Sequence, residues 1–312
     1  MITLSDIIQA KERIGRHATR TPLLRMAHLD EILGCNVWLK PENLQQTGSF
    51  KLRGALNKLL SLTDGQKRGG VVCASSGNHG QAVAYAAKML GINAKVVMPV
   101  NATTVKLTGV HKYGSEVIPF GTKSSEREAK MGEIVEQEMR VGIHPFDDDQ
   151  VKAGQGTISL EILEDNPHIN SIVAPIGGGG LISGIATAAK AINPHIRIVG
   201  VEPTGAPRYA LSREAKRPIS LNKVDTIADG TRTDRANPNN FPIIEKYVDD
   251  LVSVDDSQIR EAMRLLLMQA KLFVEPSGAT VVAAAMDKKI PYTPNDNVCF
   301  VLSGGNGDLQ LL

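Results

Sequence analysis

The chain has little cysteine, almost no net charge and no long apolar run. Its three cysteines, Cys35, Cys73 and Cys299, show no C-x-x-C spacing, and their odd number indicates reduced thiols, as in cytosolic proteins. The formal net charge of +2 argues against nucleic-acid and membrane partners. No apolar run approaches the roughly 20 residues that span a bilayer, and the charged residues Asp6 and Lys11 argue against a signal peptide. We therefore expect a soluble, cytoplasmic protein.

What the chain does contain is an alternation of short apolar runs and longer helical patterns. This rhythm predicts parallel strands with helices on both faces of each sheet. The predicted strands include residues 70–74, 94–98, 116–119, 171–175, 196–201, 251–254 and 297–302. The predicted helices include residues 52–62, 81–90, 103–113, 124–140, 156–163, 181–191, 256–272 and 277–286.

The predicted fold class is α/β, with two three-layer domains whose sheets are twisted and mostly parallel. Residues 1–47 and 149–312 are expected to form a large cofactor-binding domain. Residues 48–148 are expected to form a small domain that carries a loop for a substrate carboxylate. Residues 203–240, rich in Pro, Arg, Asn and Thr, should be irregular or partly helical. No linker is visible in the composition, so the two domains should share an interface.

One lysine stands in an unusual context. Lys51 follows Gly48, Ser49 and Phe50 in a tight turn and precedes the predicted helix at residues 52–62. An arbitrary lysine is usually a solvated surface charge. A lysine behind an aromatic ring in a tight turn is better suited to be a nucleophilic amine that forms an imine with a carbonyl cofactor. The choice between these interpretations depends on what the rest of the chain supplies.

Four consecutive glycines lie between a predicted strand and a predicted helix. They are Gly177, Gly178, Gly179 and Gly180, followed by Leu181. Glycine lets backbone N–H groups approach a ligand, and the helix N-terminus favours an anion such as a phosphate, although a flexible turn is the alternative. The dinucleotide fingerprint fails because Ile182 or Ser183 stands at its third glycine, and a Walker loop fails because Ile185 replaces its lysine. A small phosphorylated cofactor remains.

Two further polar loops follow predicted strands. The loop after residues 70–74 offers hydroxyl, amide, imidazole and helix N-terminal N–H groups, from Ser75, Ser76, Gly77, Asn78, His79 and Gly80. This set suits a substrate carboxylate, since ligands collect at the carboxyl ends of strands in open α/β sheets, although Ser and Asn are also favoured helix caps. Ser303 follows the last predicted strand and could donate a hydrogen bond to a ring nitrogen, or belong to a terminal turn.

A reactive lysine, a phosphate loop and a carboxylate loop together specify a pyridoxal-phosphate enzyme. The motifs resemble, in order and nearly end to end, the fold-type II (tryptophan-synthase-β-like) pyridoxal-phosphate enzymes. Within that group they are similar to the threonine/serine dehydratase and serine racemase branch. The matching segments are Ser49-Phe50-Lys51-Leu52-Arg53-Gly54-Ala55, Ser75-Ser76-Gly77-Asn78-His79-Gly80-Gln81, Gly177-Gly178-Gly179-Gly180-Leu181, Ala228-Asp229-Gly230, Glu275-Pro276-Ser277-Gly278 and Ser303-Gly304-Gly305-Asn306.

The resemblance implies a role for each matching residue. Lys51 would bind the cofactor covalently and act as acid and base at the substrate Cα. The remaining cofactor contacts would come from Phe50 against the ring, Asn78 at the phenolic oxygen, Ser303 at the pyridine nitrogen, and Gly177, Gly178, Gly179, Gly180 and the Leu181 amide at the phosphate. The substrate carboxylate would be held by Ser75, Asn78, His79 and Arg127. Ser76 matches the serine that serves as the opposite-face base in racemases.

The implied activity is a dehydratase that converts L-threonine or L-serine to a 2-oxo acid and ammonia. A neutral serine at the ring nitrogen, in place of a carboxylate, favours prompt loss of a β-leaving group, which itself needs a general acid. A serine racemase and a dehydratase of another β-hydroxy amino acid remain open. A non-catalytic phosphate-ligand-binding protein, with an inert Lys51, is the alternative from another class. The resemblance also implies a homodimer or homotetramer.

The chain departs from the resemblance at a metal site. Many relatives hold a divalent cation with a glutamate, a backbone carbonyl and an aspartate. Here Glu202 and the Ala206 carbonyl are present, but Arg208 stands where the aspartate would be. An arginine beside a metal site is unfavourable and could pair with Glu202 instead. We therefore expect no tightly bound metal.

Overall fold

The computed structural model describes residues 1–75, 77–102 and 104–312. Ten strands and thirteen α-helices make up this part of the chain. The strands are β1 (Leu24–Arg25), β2 (Asn36–Pro41), β3 (Val71–Ala74), β4 (Ala94–Met98), β5 (Glu116–Pro119), β6 (Val141–Gly142), β7 (Ser171–Pro175), β8 (Arg197–Pro203), β9 (Asp250–Val254) and β10 (Asn297–Leu302). The α-helices are α1 (Leu4–Ile14), α2 (Asp30–Leu33), α3 (Lys51–Leu60), α4 (Asp64–Gly69), α5 (Asn78–Leu90), α6 (Thr104–His111), α7 (Ser124–Glu138), α8 (Asp149–Asp165), α9 (Gly180–Ile192), α10 (Arg208–Ala215), α11 (Phe241–Tyr247), α12 (Asp256–Leu265) and α13 (Pro276–Met286).

The strands form two sheets. The six-stranded sheet has the order β1-β2-β10-β7-β8-β9, in which β1 pairs antiparallel with β2 and the other pairs are parallel. The four-stranded sheet has the order β5-β4-β3-β6 and is parallel throughout. Parallel neighbours need crossover connections, which the intervening helices supply. The prediction of an α/β fold with mostly parallel sheets is confirmed, whereas the domain boundaries at residues 48 and 148 stay a prediction.

The central strands of the larger sheet are buried on both faces. Every residue of β7 is buried. Val173 packs into the core on the α13 side of the sheet, whereas its neighbours Ile172 and Ala174 pack into the core on the α9 side. This alternation follows from the two-residue period of a strand. Within the three described ranges, no helix is both long and apolar enough to cross a membrane.

Several predicted elements needed correction at their ends. The helix predicted at residues 81–90 begins at Asn78, because the polar loop residues form its first turn after Gly77. The helix predicted at residues 156–163 extends over all of α8, since the Asp148 carboxylate accepts hydrogen bonds from the backbone N–H groups that start it. The helix predicted at residues 256–272 ends at Leu265 and continues as one π-helical stretch, Leu266–Ala270.

A buried ionic network fixes the start of α3. Arg53 donates a 2.8 Å hydrogen bond to Glu42 and a 2.6 Å hydrogen bond to Glu161. Lys40 donates a further 2.6 Å hydrogen bond to Glu161, and all four side chains are buried. Because Glu42 follows β2 and Glu161 belongs to α8, the network holds α3 against both elements. Lys51, the first residue of α3, is thereby placed on a rigid support.

Candidate active site

A cavity of about 170 Å³ lies at the carboxyl ends of three parallel strands. Ala74 ends β3, Pro175 ends β7 and Ser303 follows β10, and all three line the cavity. This is the edge at which open α/β sheets collect ligands. The cavity walls contain the predicted site residues Phe50, Lys51, Ser75, Asn78, His79, Arg127, Gly177, Gly178, Gly179, Gly180, Leu181 and Ser303. Ser76, the predicted opposite-face base, lies outside the described residues.

Lys51 reaches the cavity from the N-terminus of α3. Its Nζ donates a 2.9 Å hydrogen bond to the Pro145 carbonyl and lies 5.0 Å from the centre of the Phe50 ring. Burial lowers the pKa of Lys51 to about 8, although the Glu275 carboxylate acts in the opposite direction. A substantial fraction of the amine is therefore neutral at physiological pH. A neutral, desolvated amine is the form that attacks a carbonyl carbon.

The segment before Lys51 is attached to the loop that carries Ser303. The backbone N–H of Phe50 donates a 3.0 Å hydrogen bond to the Ser303 carbonyl, and Ser49 forms an isolated antiparallel bridge with Gly304. The lysine turn and the third predicted loop are therefore joined through their backbones. These contacts keep Ser303 next to the N-terminus of α3.

The glycine loop packs closely against neighbouring residues, which leaves no space for side chains. Gly179 has φ +88°, in the left-handed region that favours glycine. A Cβ at Gly178 would overlap the Phe146 ring, and a Cβ at Gly180 would lie 2.9 Å from the Phe146 backbone. Among the described residues, the N–H groups of residues 177–181 have no protein acceptor. These amides lie at the N-terminus of α9, so the loop offers free donors to an anion.

The second predicted loop folds into the start of α5. The Ser75 hydroxyl oxygen accepts hydrogen bonds of 3.1 Å from the Gly77 N–H and 2.9 Å from the Gly80 N–H. His79 donates from Nε2 to the Ile143 carbonyl at 2.9 Å, and burial lowers the pKa of this imidazole to about 3. His79 is therefore neutral, and its Nδ1 is an acceptor. The hydrogen bond to Ile143 anchors His79 at the start of α5. Binding of a substrate carboxylate by His79 stays a prediction.

Arg127 supplies the cationic side of the same cavity. Its guanidinium donates hydrogen bonds to the Thr122 carbonyl at 3.0 Å and to the Ser124 hydroxyl at 3.1 Å. Both acceptors are neutral, so these bonds orient the guanidinium without neutralising its charge. Arg127 is largely buried and lines the cavity. The arrangement is compatible with an anionic substrate group.

Glu275 is a site residue to which sequence reasoning gave no role. Asn78 Nδ2 donates a 2.7 Å hydrogen bond to its carboxylate, and Asn306 Nδ2 donates a 2.9 Å bond to Asn78 Oδ1. Burial, together with the nearby Asp229 carboxylate, raises the pKa of Glu275 to about 7. The sequence feature that could have identified Glu275 is its position directly before Pro276, the first residue of α13. Glu275 does not cap this helix with its side chain but orients Asn78.

The doubtful metal site is filled by Arg208. This buried guanidinium donates to the Ala206 carbonyl at 2.5 Å and lies 3.7 Å from Glu202 Oε1. The Glu202 carboxylate accepts from the Tyr209 N–H at 3.0 Å and from the Ala210 N–H at 2.9 Å. Across the part of the chain that the structure describes, no cluster of three or more His, Cys, Asp or Glu side chains could hold a metal. These residues do not fit a divalent cation, since the guanidinium would oppose it.

Comparison with known proteins gives one consistent result. A family model described as "Pyridoxal-phosphate dependent enzyme" matches residues 14–304. The catabolic L-threonine dehydratase TdcB of Escherichia coli is 42% identical over 310 residues, covering 99% of this chain and 94% of that protein. The L-threonine ammonia-lyase of Thermotoga maritima is 41% identical over 312 residues, covering 100% of this chain and 77% of that protein. The solved structure of maize serine racemase is 41% identical with a TM-score of 0.95, covering 99% of this chain and 94% of that one.

Proposed function

This chain belongs to the pyridoxal-phosphate dependent enzymes, and we propose that it is a dehydratase of L-threonine and L-serine. Elimination removes the α-proton and the β-hydroxyl group as water, and hydrolysis of the resulting enamine consumes one water and releases ammonia. The net reaction therefore converts the amino acid to a 2-oxo acid and ammonia. The observation that carries the proposal is the convergence of Lys51, the glycine loop and the Asn78 loop on one cavity. The similarity to two proteins named for threonine dehydration supports the substrate class.

The residues present fit the cofactor. Lys51 would bind its aldehyde carbon, and the unpaired amides of residues 177–181 would hold its phosphate. Phe50 would contact the ring, Asn78 would donate to the phenolic oxygen, and Ser303 would donate to the ring nitrogen. When bound, pyridoxal phosphate supplies an electron sink for the electrons of a bond broken at the substrate Cα.

The protein's own groups would direct which bond breaks. Lys51, with its pKa lowered to about 8, would take the proton from the substrate Cα as a neutral amine. Arg127 and the N–H groups at the start of α5 would hold the substrate carboxylate, so that the Cα proton faces Lys51. Ser303 is neutral and would leave the ring nitrogen largely unprotonated, which favours loss of the β-hydroxyl group over a long-lived carbanion.

A substrate panel tests the proposal. The protein would be incubated with L-threonine, L-serine and other β-hydroxy amino acids, and 2-oxo acid would be measured together with the chirality of the recovered substrate. We expect 2-oxo acid from threonine and serine, and none from Lys51→Ala. Accumulation of D-serine without 2-oxo acid would support the racemase alternative, in which Ser76 is the expected second base. Absence of both products and of visible cofactor absorbance would favour the non-catalytic ligand-binding protein.

Four finer proposals accompany this function. We propose that residues 1–47 and 149–312 form the cofactor-binding domain and residues 48–148 the smaller domain, which the separate sheets support. We also propose a cytoplasmic homodimer or homotetramer, to be tested by sedimentation velocity and by cell fractionation. The fourth proposal is that no divalent cation is required, which the position of Arg208 supports.

A further inference from the structure

The carbonyl groups of the glycine loop are held from behind. Arg208 donates to the Ile176 carbonyl at 2.6 Å and to the Gly177 carbonyl at 2.8 Å. The Gly178 carbonyl accepts from the Tyr209 hydroxyl and from Asn240 Nδ2, each at 2.8 Å. Three successive carbonyls are therefore bound by Arg208, Tyr209 and Asn240, which are buried and do not line the cavity.

This arrangement determines where the amides of the loop point. In a planar trans peptide, the C=O of one residue and the N–H of the next point in opposite directions. If the carbonyls of Ile176, Gly177 and Gly178 are bound behind the loop, the N–H groups of the three residues that follow them face the other way. Gly177, Gly178 and Gly179 line the cavity, whereas the three side chains that bind the carbonyls do not. The same contacts that satisfy the carbonyls thus aim the donors at a phosphate.

The Nη2 atom of Arg208 makes the contacts to Ile176 and Gly177, and the Nη1 atom contacts two further oxygens. It donates to the Ala206 carbonyl, and Glu202 Oε1 lies at 3.7 Å. Carbonyl and carboxylate oxygens are also the ligands of hard divalent cations. Arginine delivers a permanent positive charge to the same oxygens, with donors in fixed directions. Its charge is balanced by Glu202, so that neither ion is buried alone.

We propose that Arg208 is a built-in cation that orients the phosphate loop and makes a divalent ion unnecessary. Arg208 is a positioning residue, because it acts on the cofactor phosphate through the carbonyls of Ile176 and Gly177. The inference rests on the proposed function, since it requires that the loop bind the phosphate of pyridoxal phosphate.

The first test compares two ligands that differ only in the phosphate. Cofactor-free protein would be titrated with pyridoxal phosphate and with pyridoxal, followed by visible absorbance. We expect Arg208→Met to weaken pyridoxal phosphate binding about 10- to 100-fold, since charge-assisted hydrogen bonds orient the loop. Binding of pyridoxal should change less than about twofold, because Lys51 is unaffected. A merely structural role of Arg208 would weaken both ligands equally and would overturn the proposal.

Arg213 provides a matched control on the same helix. It also donates to backbone carbonyls, of Val248 at 2.9 Å and of Ile244 at 3.3 Å, but its partners among the described residues lie outside the glycine loop. Arg213→Met should leave the ratio of the two affinities unchanged. Arg208→Lys keeps the charge with fewer donors and should recover part of the phosphate affinity. If Arg208→Lys is no better than Arg208→Met although both fold, the charge is not what orients the loop.

The second test uses divalent cations directly. Chelation with EDTA and addition of calcium or magnesium should leave the pyridoxal phosphate affinity and the thermal stability of the native protein unchanged. Arg208→Asp should bind pyridoxal phosphate weakly in EDTA and recover on addition of calcium, because it restores an all-oxygen site with Glu202 and Ala206. A native protein that loses affinity in EDTA, or a folded Arg208→Asp variant that no cation restores, would contradict the proposal. If the native protein shows no visible absorbance with either ligand, the proposed function fails instead.

Discussion

Asn78 donates a 2.7 Å hydrogen bond to the Glu275 carboxylate across the cavity wall. The two residues are 197 positions apart in sequence. Asn306 extends this series of hydrogen bonds by donating to Asn78. The amide that is predicted to bind the cofactor's phenolic oxygen is thus oriented by a buried acid. Burial raises the pKa of that acid to about 7, so the arrangement should respond to pH near neutrality.

The stability of the cofactor-free protein should fall as the pH rises through about 7. The folded pKa of Glu275 lies above its ordinary value, so its contribution to the free energy of unfolding is complete in acid and is lost as the carboxyl ionises. Glu275→Gln cannot titrate and should flatten this part of the profile. Urea unfolding at about pH 5 and about pH 8 would measure the difference.

The control for Glu275→Gln is the same substitution at a surface carboxylate, Glu136. Glu136 is exposed on α7 and does not line the cavity, so Glu136→Gln removes the same charge outside it. Its unfolding profile should run parallel to that of the native protein. If the Glu275→Gln profile also ran parallel, Glu275 would not be the group that titrates.

The rate at which Lys51 captures pyridoxal phosphate should rise with pH through about 8, the value to which burial lowers its pKa. Glu275→Gln should shift this profile to lower pH, because the Glu275 carboxylate raises the pKa of Lys51. Stopped-flow absorbance would give the rates, and borohydride reduction with peptide mapping would locate the label. The label should be absent from Lys51→Ala and from Lys223, whose side chain is 81% exposed. Equal labelling of both lysines would rule out a specially activated Lys51.

Much of the fold follows from local pattern. The strands β4, β5, β7 and β10 occupy the residues at which apolar runs predicted them, because each run is short and bounded by turn residues. The strands β4, β7 and β10 are largely buried, whereas β5 is an edge strand without a buried residue. The start of α5 was misplaced because Asn78, His79 and Gly80 lack the apolar period of a helix, although they form its first turn. The predicted carboxylate loop and the N-terminus of α5 share these residues, which periodicity does not reveal.

The candidate site was predictable where a motif is local, and not where a contact is long-range. Lys51 and the four glycines were identified from their neighbours in sequence. The partners of Arg53 lie 11 and 108 positions away, and the Asn78 side chain that donates to Glu275 lies 197 positions away. Arg208 was expected to pair with Glu202, but its shorter contacts are with backbone carbonyls, which have no sequence signature.

Removal of the Arg53 side chain should destabilise the protein strongly. Arg53→Met would leave Glu42 and Glu161 buried against Lys40 alone, and an uncompensated buried charge of this kind costs about 3–5 kcal/mol. Arg20→Met is the matched control, because Arg20 also bridges two carboxylates, Glu164 and Asp165, but is 46% exposed. Its effect should stay within about 1 kcal/mol.

Urea unfolding of both variants would measure these free energies. If the two substitutions had similar effects, burial of the ionic network at the start of α3 would not govern its contribution. Arg53→Met should also slow capture of pyridoxal phosphate by Lys51. Lys51 is the first residue of α3, and the substitution removes the ionic anchor of this helix two residues further on. The Arg20 variant should retain the native capture rate.

Addition of one methyl group to the glycine loop should disrupt the phosphate site. A Cβ at Gly178 would overlap the Phe146 ring, so Gly178→Ala should cost about 1–3 kcal/mol of stability and weaken pyridoxal phosphate binding. Gly132→Ala, in α7 where none of the described residues lies within 4 Å of the new Cβ, should instead stabilise the protein by up to about 1 kcal/mol. The double variant Gly178→Ala with Phe146→Leu gives the new methyl group space and should recover part of both losses, which a double-mutant cycle of unfolding and binding free energies would quantify. Additive losses in that cycle would show that contact with Phe146 is not what requires glycine at this position.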